Sequence, residues 1–83
     1  MPLQRLRAAK VKTIGTKQTL KALKKNAAKV VYVAENAESH IVEPVLQSCA
    51  EQNLPVIKVD SMKILGKACG IKVGCASAAI IEE

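Results

Sequence analysis

Apolar residues follow two rhythms along this chain, a three-to-four spacing and short unbroken runs, and the two take turns. Leu3, Leu6 and Ala9 recur at helical spacing after Pro2, which predicts a short helix over about residues 3–9. Val11 to Ile14 reads as a brief extended segment. A second helix opens at Gly15-Thr16 with Thr16 as the expected N-cap. Leu20, Leu23 and Ala27 share one face, Lys17, Lys21, Lys24 and Lys25 the other, and Asn26 is placed to end the helix in a left-handed turn. Lys29 to Ala34 (KVVYVA) is apolar, β-branched and free of breakers, the pattern of a central strand buried on both faces.

The same alternation continues to the end of the chain. After a polar turn over Asn36 to Ser39, the spacing of Ile41, Val45, Leu46 and Cys49 predicts a helix reaching about Gln52, with Pro44 near its start. Pro55 to Val59 (PVIKV) reads as a second buried strand. Ser61 is the expected N-cap of a helix carrying Met62, Leu65, Ala68 and Cys69, and Gly70 is placed just past its end. Cys75 to Ile81 (CASAAII) is a strand of small residues over which helices can lie close. Strands alternating with helices predict an α/β fold, a three-layer α-β-α sandwich around a mixed sheet of about four strands. Residues 1–83 read as one domain with no linker, repeat or low-complexity segment.

Charge adds a direction to this picture. The chain carries 13 Lys and Arg against 7 Asp and Glu, a formal charge of +6. Nine of the 13 cations precede the first acid, Glu35, and residues 30–83 sum to −3. The N-terminal third is therefore the face expected to meet a polyanion. A merely solvated basic surface is the competing view, but the lysines lack glutamate partners four residues away. Tyr32 is the only aromatic residue, and it lies inside the apolar run of the central strand. Modules that stack single-stranded bases on rings are excluded, so nucleic acid would be held by charge, hydrogen bonds and aliphatic contact.

Other classes fall away on composition. The N-terminus has no apolar core of a secretory signal, and the longest apolar stretch, Ala76 to Ile81, is far too short to span a membrane. The chain reads as cytoplasmic. Cys49, Cys69 and Cys75 are odd in number and form no C-x-x-C pair, so they are expected as reduced core thiols. With the lone His40 they match no metal site, and no cofactor is implied. Neither His40 nor a cysteine has a recognisable catalytic partner, and Gly66, Gly70 and Gly74 follow no nucleotide-binding spacing and look like turn residues around an exposed loop. An enzyme is not expected.

Two segments stand out as candidate RNA contacts. In Gly15-Thr16-Lys17-Gln18-Thr19-Leu20-Lys21, a lysine in the first helical turn opposes the helix dipole at a cost of about 0.3–1 kcal/mol, which a polyanion would remove. Lys17, Gln18 and Lys21 converge within a turn, where lysine can donate to guanine O6 or N7 and the amide can both donate and accept. In Gly70-Ile71-Lys72-Val73-Gly74, Ile71 and Val73 either project to cover an unstacked base or turn inward as the start of the last strand. The residues alone leave both open.

Three separated segments, Ile14 to Ala22 (IGTKQTLKA), Val30 to Asn36 (VVYVAEN) and Leu65 to Ile71 (LGKACGI), resemble the kink-turn-binding ribosomal proteins. These comprise the archaeal "seven-Ae" type, its eukaryotic "thirty-e" relatives and, most similar here, the short bacterial YbxF-type members. The resemblance runs from about Val11 to Ile81. It implies an α-β-α sandwich that binds a kink-turn, an RNA bulge flanked by tandem sheared G·A pairs. The family's helix start, G-x-N-E-x-x-K, is matched at Gly15 and Lys21, with Lys17 in place of Asn and Gln18 in place of Glu. The Gln18 oxygen would accept from the free guanine edge, less strongly than a carboxylate. The family's base-covering loop falls on Ile71, Lys72 and Val73. Gly15, Thr16, Lys17, Gln18, Lys21, Ile71 and Val73 are thus the expected base contacts, and Lys12, Lys24, Lys25, Lys29 and Lys72 the expected phosphate contacts. Asn36 matches a polar position after the central strand, where capping the next helix is its other expected role. The expected partner is a structured RNA, in a ribosomal setting, bound by a monomer. The competing reading is a ribosome-associated scaffold that touches RNA only through charge.

Overall fold

The computed structural model describes residues 2–83, Pro2 by its backbone alone. Its elements in chain order are α1 (Pro2–Ala8), β1 (Val11–Ile14), α2 (Thr16–Lys24), β2 (Val30–Ala34), α3 (Ser39–Gln52), β3 (Val56–Val59), α4 (Met62–Cys69) and β4 (Ser77–Glu82). The strands form one sheet in the order β1-β4-β2-β3. β2 and β3 are parallel, and β4 runs antiparallel to both β1 and β2. Helices α1 and α4 cover one face and α2 and α3 the other, which is the expected α-β-α sandwich on a mixed sheet.

β2 explains the layering. All five of its residues are buried, because it lies inside the sheet with helices on both sides. Val30, Tyr32 and Ala34 pack toward α1 and α4 with Leu6, Leu65 and Ile80, whereas Val31 and Val33 pack toward α2 and α3 with Leu23, Val45 and Cys49. Tyr32 is a core residue, as its place in the sequence predicts. Next to β2, the fully buried Ala78 and Ala79 of β4 leave room for helices to approach both faces.

Local chemistry sets most of the element ends. Asn26 and Asn53 take the left-handed conformation after α2 and α3, at φ 55° and 56°. Ser61 caps α4, its hydroxyl accepting from the Ile64 N–H at 3.1 Å, and Gly70 closes the helix at φ 83°. Four expectations need correction. The N-cap of α2 is Gly15, not Thr16: β1 passes directly into α2, and the turn between them requires φ 94° and ψ 159°, which glycine adopts without strain. β3 is an edge strand rather than a fully buried one, and Lys58 is exposed. Gly66 is no turn residue but lies within α4. Pro44 also lies deeper than expected, in the second turn of α3, because the helix begins at Ser39.

β1, β2 and β3 all run in the same direction, so their C-terminal ends share one pole of the molecule with the start of β4. Helices α2, α3 and α4 therefore all begin at that pole.

Candidate nucleic-acid interface

The start of α2 is held from below by a buried hydroxyl network. The Gly15 N–H donates to the Ser77 carbonyl at 2.9 Å, and the Gly15 carbonyl accepts from the Thr19 N–H at 3.0 Å and the Thr19 hydroxyl at 2.8 Å. Thr13 and Thr19 share a hydroxyl contact of 2.9 Å, and so do Thr16 and Ser77. Ser77 and Thr19 are fully buried, so each polar atom inside is matched, as burial demands. The result is a rigid helix start whose exposed residues, Lys17, Gln18 and Lys21, face outward. The Thr16 hydroxyl is tied to Ser77 and acts as a brace.

Gln18 carries a refinement. Its Oε1 accepts from the Ile14 N–H at 3.3 Å, a variant of the capping box in which the third helical residue reaches back to the strand. The amide N–H groups then point outward as donors, and the oxygen keeps one lone pair for a further bond. Beyond the first turn, two shallow grooves flank α2. One of about 410 Å³ runs against the sheet, lined by Thr13, Gln18, Lys21, Lys25 and Ile81 among others. One of about 470 Å³ runs against α3, lined by Lys17, Leu20, Lys21, Lys24, Pro44 and Ser48. Among the described residues no lysine is in an ion pair. The cationic ridge of α2 is therefore not neutralised from within the protein.

The loop after α4 lies at the same pole. Its Cys75 N–H donates to the Met62 carbonyl at 3.0 Å, which brings the loop back to the start of α4. Of the two aliphatic residues left open by the sequence, Val73 is 71% exposed, while Ile71 is half-buried against the core. Lys72 is exposed. The structure thus divides the pair, with one tip and one anchor, and neither residue starts the last strand, which begins at Ser77.

Other expected contacts are dispersed. Lys24 and Lys25 stand at the far end of α2. Lys12 faces the opposite side of the sheet, where its Nζ donates to the Leu6 and Arg7 carbonyls at 3.2 and 3.3 Å and caps α1. Lys29 opens β2 at the opposite pole, its N–H bonded to the Ile80 carbonyl. Arg5 is paired with Glu83, which holds the carboxyl below its ordinary range and the guanidinium above. Asn36 caps α4 rather than the next helix, α3: its Oδ1 accepts from the Met62 N–H at 2.8 Å. The reason is the parallel pairing of Ala34 with Val59, which places the residues after β2 beside those after β3. Ser77, which braces the α2 start, is not singled out by the sequence pattern; a serine inside an apolar run is the available signal, since a buried hydroxyl needs a partner.

An α-β-α sandwich with a braced, lysine-flanked helix start and a loop at the same pole defines the class, and comparison gives the family. The family model for the ribosomal protein L7Ae/L30e/S12e/Gadd45 family matches residues 2–83, and the chain belongs to that family. Among its relatives, "RNA-binding protein YbxF" of Geobacillus stearothermophilus is 55% identical over 77 residues, covering 93% of both chains. An "RNA-binding protein" of Geobacillus thermodenitrificans is 54% identical over 77 residues with the same coverage. The fold is shared with a solved Giardia lamblia 15.5kD RNA binding protein at a TM-score of 0.85 and 23% identity, covering 98% of this chain and 68% of that one.

Proposed function

We propose that this chain is a non-enzymatic RNA-binding protein that recognises a kink-turn and stabilises its bent form. The observation that carries the reading is the meeting of the lysine-flanked α2 start and the Val73 loop at one pole, the first braced on Ser77 of β4 and the second tied through the Cys75 N–H to the Met62 carbonyl at the start of α4. The relatives named as RNA-binding proteins, more than half identical over most of the chain, support the choice of RNA as the polyanion.

Lys17, Gln18 and Lys21 would read the exposed guanine edges of the G·A pairs, with Gly15 allowing close approach and Thr16 bracing the turn. Val73, anchored through Ile71, would cover a loop base. Lys24, Lys25 and Lys72 would meet phosphates, whereas Lys12 and Lys29 would be reached only by RNA extending around the molecule, and Lys12 would first have to leave two carbonyls. Asn36 would contribute by holding α4. Binding shifts a population, since the protein favours the RNA conformer that offers more contacts. The protein would act as a monomer in the cytoplasm, with the ribosome as its candidate setting.

The test exchanges both sheared G·A pairs for Watson–Crick pairs in an otherwise identical RNA. A large loss of affinity is expected. Equal affinity for both RNAs would leave only charge-driven binding, the property of a scaffold.

A further inference from the structure

The loop after α4 and the helix itself form one unit. Residues 70–74 rest on α4 at both ends: the Ile71 N–H donates to the Gly66 carbonyl at 3.1 Å, and the Cys75 N–H to the Met62 carbonyl at 3.0 Å. Between these bonds Gly74 packs on Met62, where an added Cβ would stand 3.1 Å from the Met62 Cβ. The place of the exposed Val73 tip therefore follows the place of α4.

The helix is held unevenly along its length. Leu65, Ala68 and Cys69 are buried in the core, whereas in the first turn Lys63 and Ile64 are exposed and Met62 is half-buried. Two side chains hold that turn. The Ser61 hydroxyl accepts from the Ile64 N–H, three positions on, a bond that lies inside the unit and moves with it. Asn36 follows β2, and its Oδ1 accepts from the Met62 N–H at 2.8 Å across 26 positions. That bond runs from the end of the sheet to the unit. Met62 thus takes the tie to the sheet at its N–H and the tie to the loop at its carbonyl.

We propose, resting on the RNA reading above, that Asn36 is a positioning residue for RNA binding, which through Met62 sets the Val73 tip in register with the start of α2. Loss of the Asn36 acceptor frees the first turn of α4 and, with it, the carbonyl that holds Cys75. The α2 start is braced separately through Ser77, so Lys17, Gln18 and Lys21 stay in place. The two halves of the interface then no longer stand together, and the loss falls on binding as well as on folding. Ser61 supplies the internal control, because its removal uncaps the same turn and leaves the tie to the sheet intact.

The experiment compares Asn36→Ala, Asn36→Asp and Ser61→Ala in the full chain, well below their melting temperatures. Each is titrated with an RNA carrying tandem G·A pairs beside a bulge and with the same RNA made abasic in the bulge. Amide hydrogen exchange at Cys75 is followed in parallel without RNA. Asn36→Ala should weaken binding to the intact RNA by about five- to tenfold, the lower range of coupling between sites, and much less to the abasic RNA, where Val73 has no base to cover. Ser61→Ala should bind within about twofold of the parent, although both alanine variants lose a cap. Asn36→Asp keeps the acceptor and should recover most of the loss. Exchange at the Cys75 amide should quicken in Asn36→Ala more than in Ser61→Ala. Equal binding by the two alanine variants would overturn the proposal, as would a loss undiminished on the abasic RNA or unrecovered by Asn36→Asp. If the parent prefers neither RNA to one without G·A pairs, the RNA reading fails, while exchange at Cys75 still decides whether Asn36 holds the loop.

Discussion

Gly66 in α4 lies directly under the backbone of Val73: a Cβ added at Gly66 would stand 2.1 Å from the Val73 carbonyl oxygen. In an ordinary helix interior, Gly→Ala stabilises by about 1 kcal/mol. Here the sign reverses, because the atom in the way is backbone and the loop must move. Gly66→Ala is expected to cost about 1–3 kcal/mol in denaturant unfolding and to weaken RNA binding by lifting the Val73 tip. A G66A chain as stable as its parent would show that the loop does not press on α4.

Lys17→Ala separates binding from folding. Lys17 lies exposed in the first turn of α2 with no acid in that turn, so its removal relieves repulsion from the helix dipole. Stability should be unchanged or rise by up to about 1 kcal/mol, while RNA affinity falls by about 1–3 kcal/mol. Gln18→Ala should also lose affinity, but with about 0.5–1 kcal/mol of stability, because it leaves the Ile14 N–H without its side-chain partner. Melting and titration of both variants check this pair; unaltered RNA affinity in both would count against base reading by the α2 start.

Salt dependence ranks the remaining lysines. With roughly 4–6 phosphate contacts, log K should fall against log salt with a slope of about −3 to −5. Removing Lys21 or Lys24, on the ridge of α2, should reduce that slope by about 1 each. Lys29→Ala should change it least, since Lys29 opens β2 at the opposite pole. A Lys29 effect equal to that of Lys21 would mean a footprint spread over the whole molecule.

Two side chains cap the same turn of α4. Asn36 accepts from the Met62 N–H and Ser61 from the Ile64 N–H. Each replaced by Ala should cost about 1 kcal/mol. Because both hold one helix start, a double-mutant cycle should show coupling rather than simple addition. Strict additivity would indicate that each cap acts on its own.

The buried thiols are displaced from the ordinary thiol range in opposite directions, so they should ionise in sequence as pH rises. Burial pushes the Cys49 thiol up, so its reactive thiolate is scarce at neutral pH. The hydrogen bond from Cys69 and the nearby N–H groups lower the Cys75 thiol to about 7, so its thiolate accumulates as pH rises through neutrality. Cys69, the donor of that bond, is pushed up and should follow only once Cys75 has reacted. Alkylation mapped by peptide mass across pH 6–9 should label Cys75 first. Labelling of Cys49 first would refute this order.

Much of the fold was legible in the sequence because it is written between near neighbours. The unbroken run at Val30–Ala34 requires cover on both faces, and the structure buries every residue of it. Ser61 starts its helix, and Gly70 and Asn26 end theirs, through bonds and dihedrals that span a few residues. The lysine face of α2 and the motifs that place the chain in its family are likewise continuous stretches of sequence.

What only the tertiary structure decided depends on which strands lie side by side. PVIKV has the composition of a buried strand, but the sheet order puts β3 at an edge. Asn36 reaches Met62 across 26 positions, and Thr16 reaches Ser77 across 61, because β2 lies beside β3 and β4 runs back past the start of α2. The division of Ile71 from Val73 likewise follows from the loop folding back over Gly66. Periodicity determines which face of an element is apolar; only the assembled sheet determines which partner meets that face, and so which polar atoms are tied down and which remain for RNA.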